Sequence, residues 1–200
     1  MSTLSTNAII PVTGTTVTLG ESGDTISIPA GATITNSGTA NNFGGGLVLQ
    51  TKMVKLTTTS SFTANHTFAD ISGLSVAITP SSTDSKIWVQ GTVSIGQNGY
   101  GGIRIVRDST AIGVPTESIS TRAGCTVGSQ QSGAYECTPY PFNWIDAPSS
   151  TSSLTYKIQW HNSSSATVYV NRQNNDGDDP DNTRAVSTLI VCELSAATIS

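Results

Sequence analysis

Alternation with a period of two is the feature that most constrains this chain. Ile87, Val89, Val93 and Ile95 fall on one side of a run; Ile103 and Ile105 repeat the pattern, as do Tyr156, Ile158 and Trp160, and then Val168 and Val170. Only an extended strand with one buried face sets every second residue on the same side. The runs are short and stop at turn chemistry: Pro80-Ser81-Ser82-Thr83-Asp84, Asp108-Ser109-Thr110, Ala147-Pro148-Ser149-Ser150 and Asn162-Ser163-Ser164-Ser165. Such residues bond their own backbone and tolerate left-handed geometry. Strands are therefore predicted over 52–58, 61–68, 74–79, 86–95, 102–107, 134–144, 154–161, 167–172 and 185–194. Nine strands with one buried face each fit two packed antiparallel sheets, a β-sandwich of jelly-roll type.

Charge supports the same class. Charged residues are 11% of the chain, about half the usual quarter, so the Glu and Lys from which solvated helices are built are scarce. The net charge of −4 argues against nucleic acid as a partner, because that affinity comes from neutralising phosphates. Met1 to Ile10 lack the basic and apolar regions of a signal peptide, and the longest apolar stretches are pieces such as Leu189-Ile190-Val191-Cys192. Neither secretion by signal peptide nor membrane insertion is expected.

The first 46 residues read differently. Val17-Thr18-Leu19, Ile26-Ser27-Ile28 and Ala32-Thr33-Ile34 are three-residue alternations separated by Gly20-Glu21-Ser22-Gly23-Asp24 and Pro29-Ala30-Gly31. A segment this small cannot bury enough apolar surface to offset its own ordering. Partner chains are the natural cover, giving an intertwined β-strand stalk from identical segments. Gly44-Gly45-Gly46 then imposes no side-chain preference on the backbone. The expected organisation is an oligomerisation segment over 1–46 and a sandwich domain over 47–200.

Few residues suggest chemistry. Cys125, Cys137 and Cys192 form no CxxC pair; they read as buried free thiols, with a Cys125–Cys137 bridge across a hairpin as the alternative. His66 and His161 stand far apart without metal-ligand spacing, and there is no GxSxG elbow for a serine nucleophile. The carboxylates Glu117, Glu136, Asp146 and Asp176 are scattered rather than paired as glycoside hydrolysis requires. No catalytic residue, metal or cofactor is assigned, and the chain is expected not to be an enzyme. Two stretches remain as candidate receptor contacts. One is the loop from Asn174 to Asn182, with Asn174, Asp176, Asp178, Asp179 and Asp181. It is readable as turn chemistry, as a hard-cation loop without EF-hand spacing, or as a contact surface. The other is the aromatic run around Tyr140 and Trp144, whose rings either anchor a partner or fill the sandwich while Pro139 and Pro141 guard an edge strand.

The stretch from Val17 through Ile34 to Asn36-Ser37-Gly38-Thr39-Ala40 resembles the N-terminal segment of tail-fibre-like virion proteins of marine and cyanobacterial phages. Ile71-Ser72-Gly73-Leu74-Ser75-Val76-Ala77-Ile78-Thr79-Pro80-Ser81-Ser82, Ile105-Val106-Arg107-Asp108-Ser109-Thr110 and Tyr156-Lys157-Ile158-Gln159-Trp160 look like the β-domain that follows in those proteins. The resemblance implies a homotrimeric short tail fibre, located in the virion and assembled in the host cytoplasm. Its N-terminal segment, with Val17, Leu19, Ile26, Ile28 and Ile34, would attach to other phage structural proteins such as a tail nozzle, adaptor or neck. Its C-terminal domain would meet a host surface glycan or protein. A capsid decoration protein or head fibre is the alternative, and a polysaccharide-cleaving tailspike the third.

Overall fold

In the computed structural model, residues 14–33, 35, 48–63, 66–117, 120–162 and 166–195 are described. The chain divides into two units, Met1–Phe43 and Gly44–Ser200. In the first, residues 14–33 form no strand. Their backbone bonds close turns, from Asp24 N to Glu21 O at 3.0 Å and from Ala32 N to Pro29 O at 3.1 Å. The miniature strands expected at Val17-Thr18-Leu19 and Ile26-Ser27-Ile28 are therefore absent from the single chain. A strand exists only as half of a ladder, and no described segment of this chain pairs with these residues. Ile34 lies outside the described residues.

Among the described residues, the regular elements of the second unit are all strands: β1 (Val48–Leu56), β2 (Ser60–Phe62), β3 (Thr67–Ile78), β4 (Lys86–Gly96), β5 (Gly99–Arg107), β6 (Thr110–Ile112), β7 (Val127–Gln131), β8 (Thr138–Asp146), β9 (Leu154–Asn162), β10 (Val168–Val170) and β11 (Ser187–Leu194). Two antiparallel sheets result. Sheet A runs β1-β11-β4-β10-β2 with β8 on the free side of β4; sheet B runs β3-β9-β5-β6 with β7 also on β5. β1 and β2 lie along one line, since they pair with β11 and β10, and those two pair with successive parts of β4. β6 and β7 likewise share one side of β5. The eleven strands thus occupy eight lines, and the ladders join first to eighth, second to seventh, third to sixth and fourth to fifth. This is an antiparallel ribbon rolled on itself, the jelly roll, which places both apolar faces inside.

The inner faces meet through Ile87, Val89, Val93, Ile95, Leu189 and Val191 from sheet A and Ile103, Ile105, Tyr156, Ile158 and Trp160 from sheet B, all buried. Each such side chain contributes about 1.5–3 kcal/mol on burial. β3 departs from the predicted break near residue 70. It is one strand, with pairing that skips from Asp70 opposite Gln159 to Ser75 opposite Lys157. Gly73 takes a φ of 83° in this bulge, and both Ile71 and Leu74 reach the core. β6 and β7 escape sequence reading because Thr110–Ile112 is so short and Val127-Gly128-Ser129-Gln130-Gln131 has little apolar alternation.

In sheet A both lines of the β1/β2 and β10/β11 pair break at the same level, and Asn171 fills the gap. It is fully buried and left-handed, with a φ of 61°. Its Nδ2 donates to Leu56 O at 2.7 Å and Thr58 O at 2.9 Å, and its Oδ1 accepts from Ser187 Oγ at 2.6 Å. Its own N–H donates to Ser94 O and its carbonyl accepts from Ala185 N. The side chain thereby replaces the ladder bonds lost where 171–186 leaves the sheet, and Asn is among the few residues that tolerate left-handed backbone. Asn171→Ala should cost about 3 kcal/mol in urea unfolding, from buried partners left unsatisfied and an alanine forced into left-handed geometry. Asn171→Gly should recover about 1 kcal/mol of that by relieving the backbone alone. A loss below about 0.5 kcal/mol for the alanine variant would show that the gap does not need its side chain.

Strand directions give the sandwich two unlike ends. The proximal end holds the start of β1, the end of β11 and the β3–β4, β5–β6 and β8–β9 connections; the distal end holds the β2–β3, β4–β5, β7–β8 and β9–β10 connections. The proximal end is locked by buried charge. Glu193 is 1% exposed and accepts from Gln50 Nε2 at 2.6 Å, Ser81 N at 2.7 Å, Ser81 Oγ at 2.6 Å and Ser85 Oγ at 2.7 Å. Burial alone would raise its pKa, but the bonds from Ser81, Gln50 and Ser85 outweigh it and hold the carboxyl below the ordinary value near 4.5. Beside it, Asp146 of sheet A accepts from Tyr156 Oη at 2.6 Å and Arg107 Nη1 at 2.6 Å, both of sheet B. This ties the two layers together and, with burial, pushes the Tyr156 phenol far up. A depressed carboxyl stabilises the fold above its unfolded pKa and loses that contribution as pH falls through the folded value. Wild-type stability should therefore decline below about pH 4.5. Glu193→Gln should be about 2 kcal/mol weaker at pH 7 and flatter in that acid range, as read from thermal melts across pH.

Candidate functional site

Two surfaces near the distal end carry chemistry. The first is the excursion over 171–186. Arg172 and Arg184 pair across its neck, and like charges held this close need a counter-charge. Asp176 supplies it: Arg184 donates from Nε at 3.2 Å and Nη2 at 2.8 Å, and Arg172 Nη1 stands 3.5 Å away. The Arg184 bonds come first among the causes that hold the Asp176 carboxyl below its ordinary range. The Arg172 guanidinium also lies 3.9 Å over the Tyr169 ring and caps Asn174 O at 2.9 Å. Beyond the neck, Asp179 accepts from Asp181 N at 2.9 Å, and Gly177 O accepts from Asn182 Nδ2 at 2.9 Å. Gln173 donates to Tyr135 O, and Asn175 N to Ala134 O, so the excursion is bound to the β7–β8 connection. Asp178, Asp179 and Asp181 are exposed and line, with Tyr135, an open concavity of about 650 Å³. Among the described residues no group of three or more His, Cys, Asp or Glu is placed to hold a metal ion.

The candidates named from sequence thus separate. Asp176 is a staple with a side chain only 10% exposed, and Asn174 serves through its backbone. Tyr140 packs half-buried against the core and accepts a 3.3 Å bond from Gln131 Nε2. Trp144 is 44% exposed but belongs to the proximal half of β8, with its ring over Gly113. β8 is an edge strand, and Pro139 and Pro141 lie opposite Ser94 and Thr92. Having no N–H, they present two positions at which a further strand cannot add. The three thiols are unpaired; Cys192 is buried, and Cys125 and Cys137 are half-buried.

The second surface was not foreseen from sequence. On the outer face of sheet B, Phe68 lies opposite His161, and His161 opposite Gly102, which in turn faces Gly128. The rings of Phe68 and His161 are 4.8 Å apart and that of His66 is 6.4 Å from His161. Arg104 stacks over Phe68 at 3.6 Å and donates from Nε to Gln159 Oε1 at 2.9 Å. Gln159 and Lys157 both donate to Asp70, at 2.6 Å and 2.7 Å. These residues, with Tyr100 and with Arg122 from the connection between β6 and β7, border a concavity of about 630 Å³ floored by Gly101, Gly124 and Gly128. Among the described residues its lining holds two arginines, two histidines and no carboxylate, in a chain whose acids outnumber its bases by 13 to 9. Burial, with His66 and Arg104 nearby, holds the His161 pKa below its ordinary value. Burial also lowers the Arg104 pKa, against opposing effects of Cys125 and Asp70. The available signal was positional: Arg104 stands between the core residues Ile103 and Ile105, so alternation puts it on the outer face, as it puts His161 after Trp160.

If Asp176 staples the excursion, Asp176→Asn should speed protease cleavage within 174–183 while moving the thermal midpoint by less than about 2 °C. Equal cleavage rates in wild type and variant would show that the neck holds without it.

No family model and no curated protein matches the sequence. Among solved structures, the chain is similar to that of infectious bursal disease virus Gt strain, 16% identical with a TM-score of 0.37, covering 84% of this chain and 43% of the other. Its similarity to the infectious bursal disease virus VP2 subviral particle is 13% identity and a TM-score of 0.34, over 74% of this chain and 38% of that one. The chain therefore spans less than half the length of the structures it matches.

Proposed function

We propose that this chain is a non-enzymatic structural component of a bacteriophage particle, a short homotrimeric tail fibre whose sandwich adheres to the host surface. The observation that carries the reading is the polarity of the domain. The chain enters and leaves at the proximal end, which buried charge locks, while both chemically distinctive surfaces gather near the opposite end. That arrangement suits a knob held from one side and used on the other. The first unit supports the stalk: Val17, Leu19, Ile26 and Ile28 are 39%, 59%, 58% and 47% exposed, apolar side chains that sister chains or a particle protein would cover. The sequence resemblance to tail-fibre-like proteins points the same way. Three weak sites on one fibre raise avidity by about 10²–10⁴ without any single strong contact, so adhesion asks for no deep pocket.

Electron cryomicroscopy of whole particles tests this reading. Threefold density projecting from the tail is expected; density on the capsid lattice would replace it with a head fibre or decoration protein. New reducing ends after incubation with host-envelope polysaccharide would replace it with a cleaving tailspike. In solution, light scattering should give three times the chain mass for the full protein. Removal of the residues before Gly44 should shift that mass toward the monomer and leave the β circular-dichroism signal of the sandwich.

A further inference from the structure

We infer that the concavity on the outer face of sheet B binds a carboxylate-bearing sugar residue. The inference deepens the adhesion reading and rests on it for its biological setting, but the site stands on its own geometry. The terminal nitrogens of Arg104 make no hydrogen bond to any described residue, although stacking on Phe68 and the bond to Gln159 fix the guanidinium. A planar fork held in place with its outer N–H groups unspent is the arrangement that receives a carboxylate through two parallel bonds. Arg122 on the same rim adds positive charge, and among the described residues the lining offers no acid to compete. A bare anion would need no more than this, but the aromatic components point to a ring. Tyr100 is 60% exposed at the border, and aromatic rings that keep an apolar body and a polar tip at the surface suit amphipathic ligands. The glycine floor leaves room for a flat ligand: an added Cβ at Gly128 would have nothing within 4 Å.

That open space supplies the test. Gly128→Val places a β-branched side chain on a strand position with room for it, so the fold should persist while the concavity is filled. The probe is digalacturonate, with neutral digalactose as control, followed by saturation-transfer NMR on the full chain. Wild type should bind digalacturonate and not digalactose. Gly128→Val should abolish the signal and Arg104→Gln should weaken binding about tenfold or more, each with a thermal midpoint near that of wild type. Absence of digalacturonate binding, equal binding of both sugars, or binding unchanged in Gly128→Val would overturn the assignment. Adhesion of the labelled full chain to host cells is measured in parallel. Adhesion without saccharide binding overturns the pocket alone; saccharide binding without adhesion supports the pocket and removes the adhesion reading.

Discussion

A single amide side chain completes sheet A. Where two collinear strand pairs break together, the lost ladder bonds leave carbonyls without donors, at a cost of about 1–3 kcal/mol for one that is buried. Asn171 answers two of them with one Nδ2 and turns the chain out of the sheet with its left-handed backbone. The rest of the domain's character follows from that exit. The excursion over 171–186 can leave the sheet without unzipping it, and the Arg172–Arg184 neck with Asp176 holds it once it has left.

Sheet B repeats the device in smaller form. The line shared by β6 and β7 is broken between Ile112 and Val127, and Thr126 Oγ1 accepts from Ile105 N at 3.1 Å where β6 ends. Each sheet therefore releases one long connection from within a strand line rather than from an end. One carries the acidic loop; the other carries Arg122 and Cys125 to the outer-face concavity. A rigid scaffold with function on its insertions is the usual division between packed strands and loops.

Polar groups are divided with similar economy. At the proximal end they are buried and satisfied, by Glu193 among serines and by Asp146 between Arg107 and Tyr156, and such networks hold layers in one register. On the outer face of sheet B the chain of bonds from Lys157 through Asp70 and then Gln159 ends at Arg104, whose terminal nitrogens make no hydrogen bond to any described residue. The first arrangement is closed and serves the fold. The second is open and carries the proposal made for that surface.

The sequence by itself determined the all-β class, the two buried faces and most strand positions, because side-chain alternation and turn residues are local properties read over a few residues. Ile87 to Ile95 and Tyr156 to Trp160 show this plainly. It also marked the acidic loop and the edge prolines as special. Only the tertiary structure decided that Asp176 is bound between two arginines, that Tyr140 belongs to the core margin, and that β3 runs through a bulge rather than stopping. It alone brought Phe68, Arg104, Arg122 and His161 onto one concavity. Those residues come from two strands of one sheet, a third strand between them and a loop, so no local pattern records their meeting. Alternation tells which face a residue takes; the rolled ladder decides which residues share it.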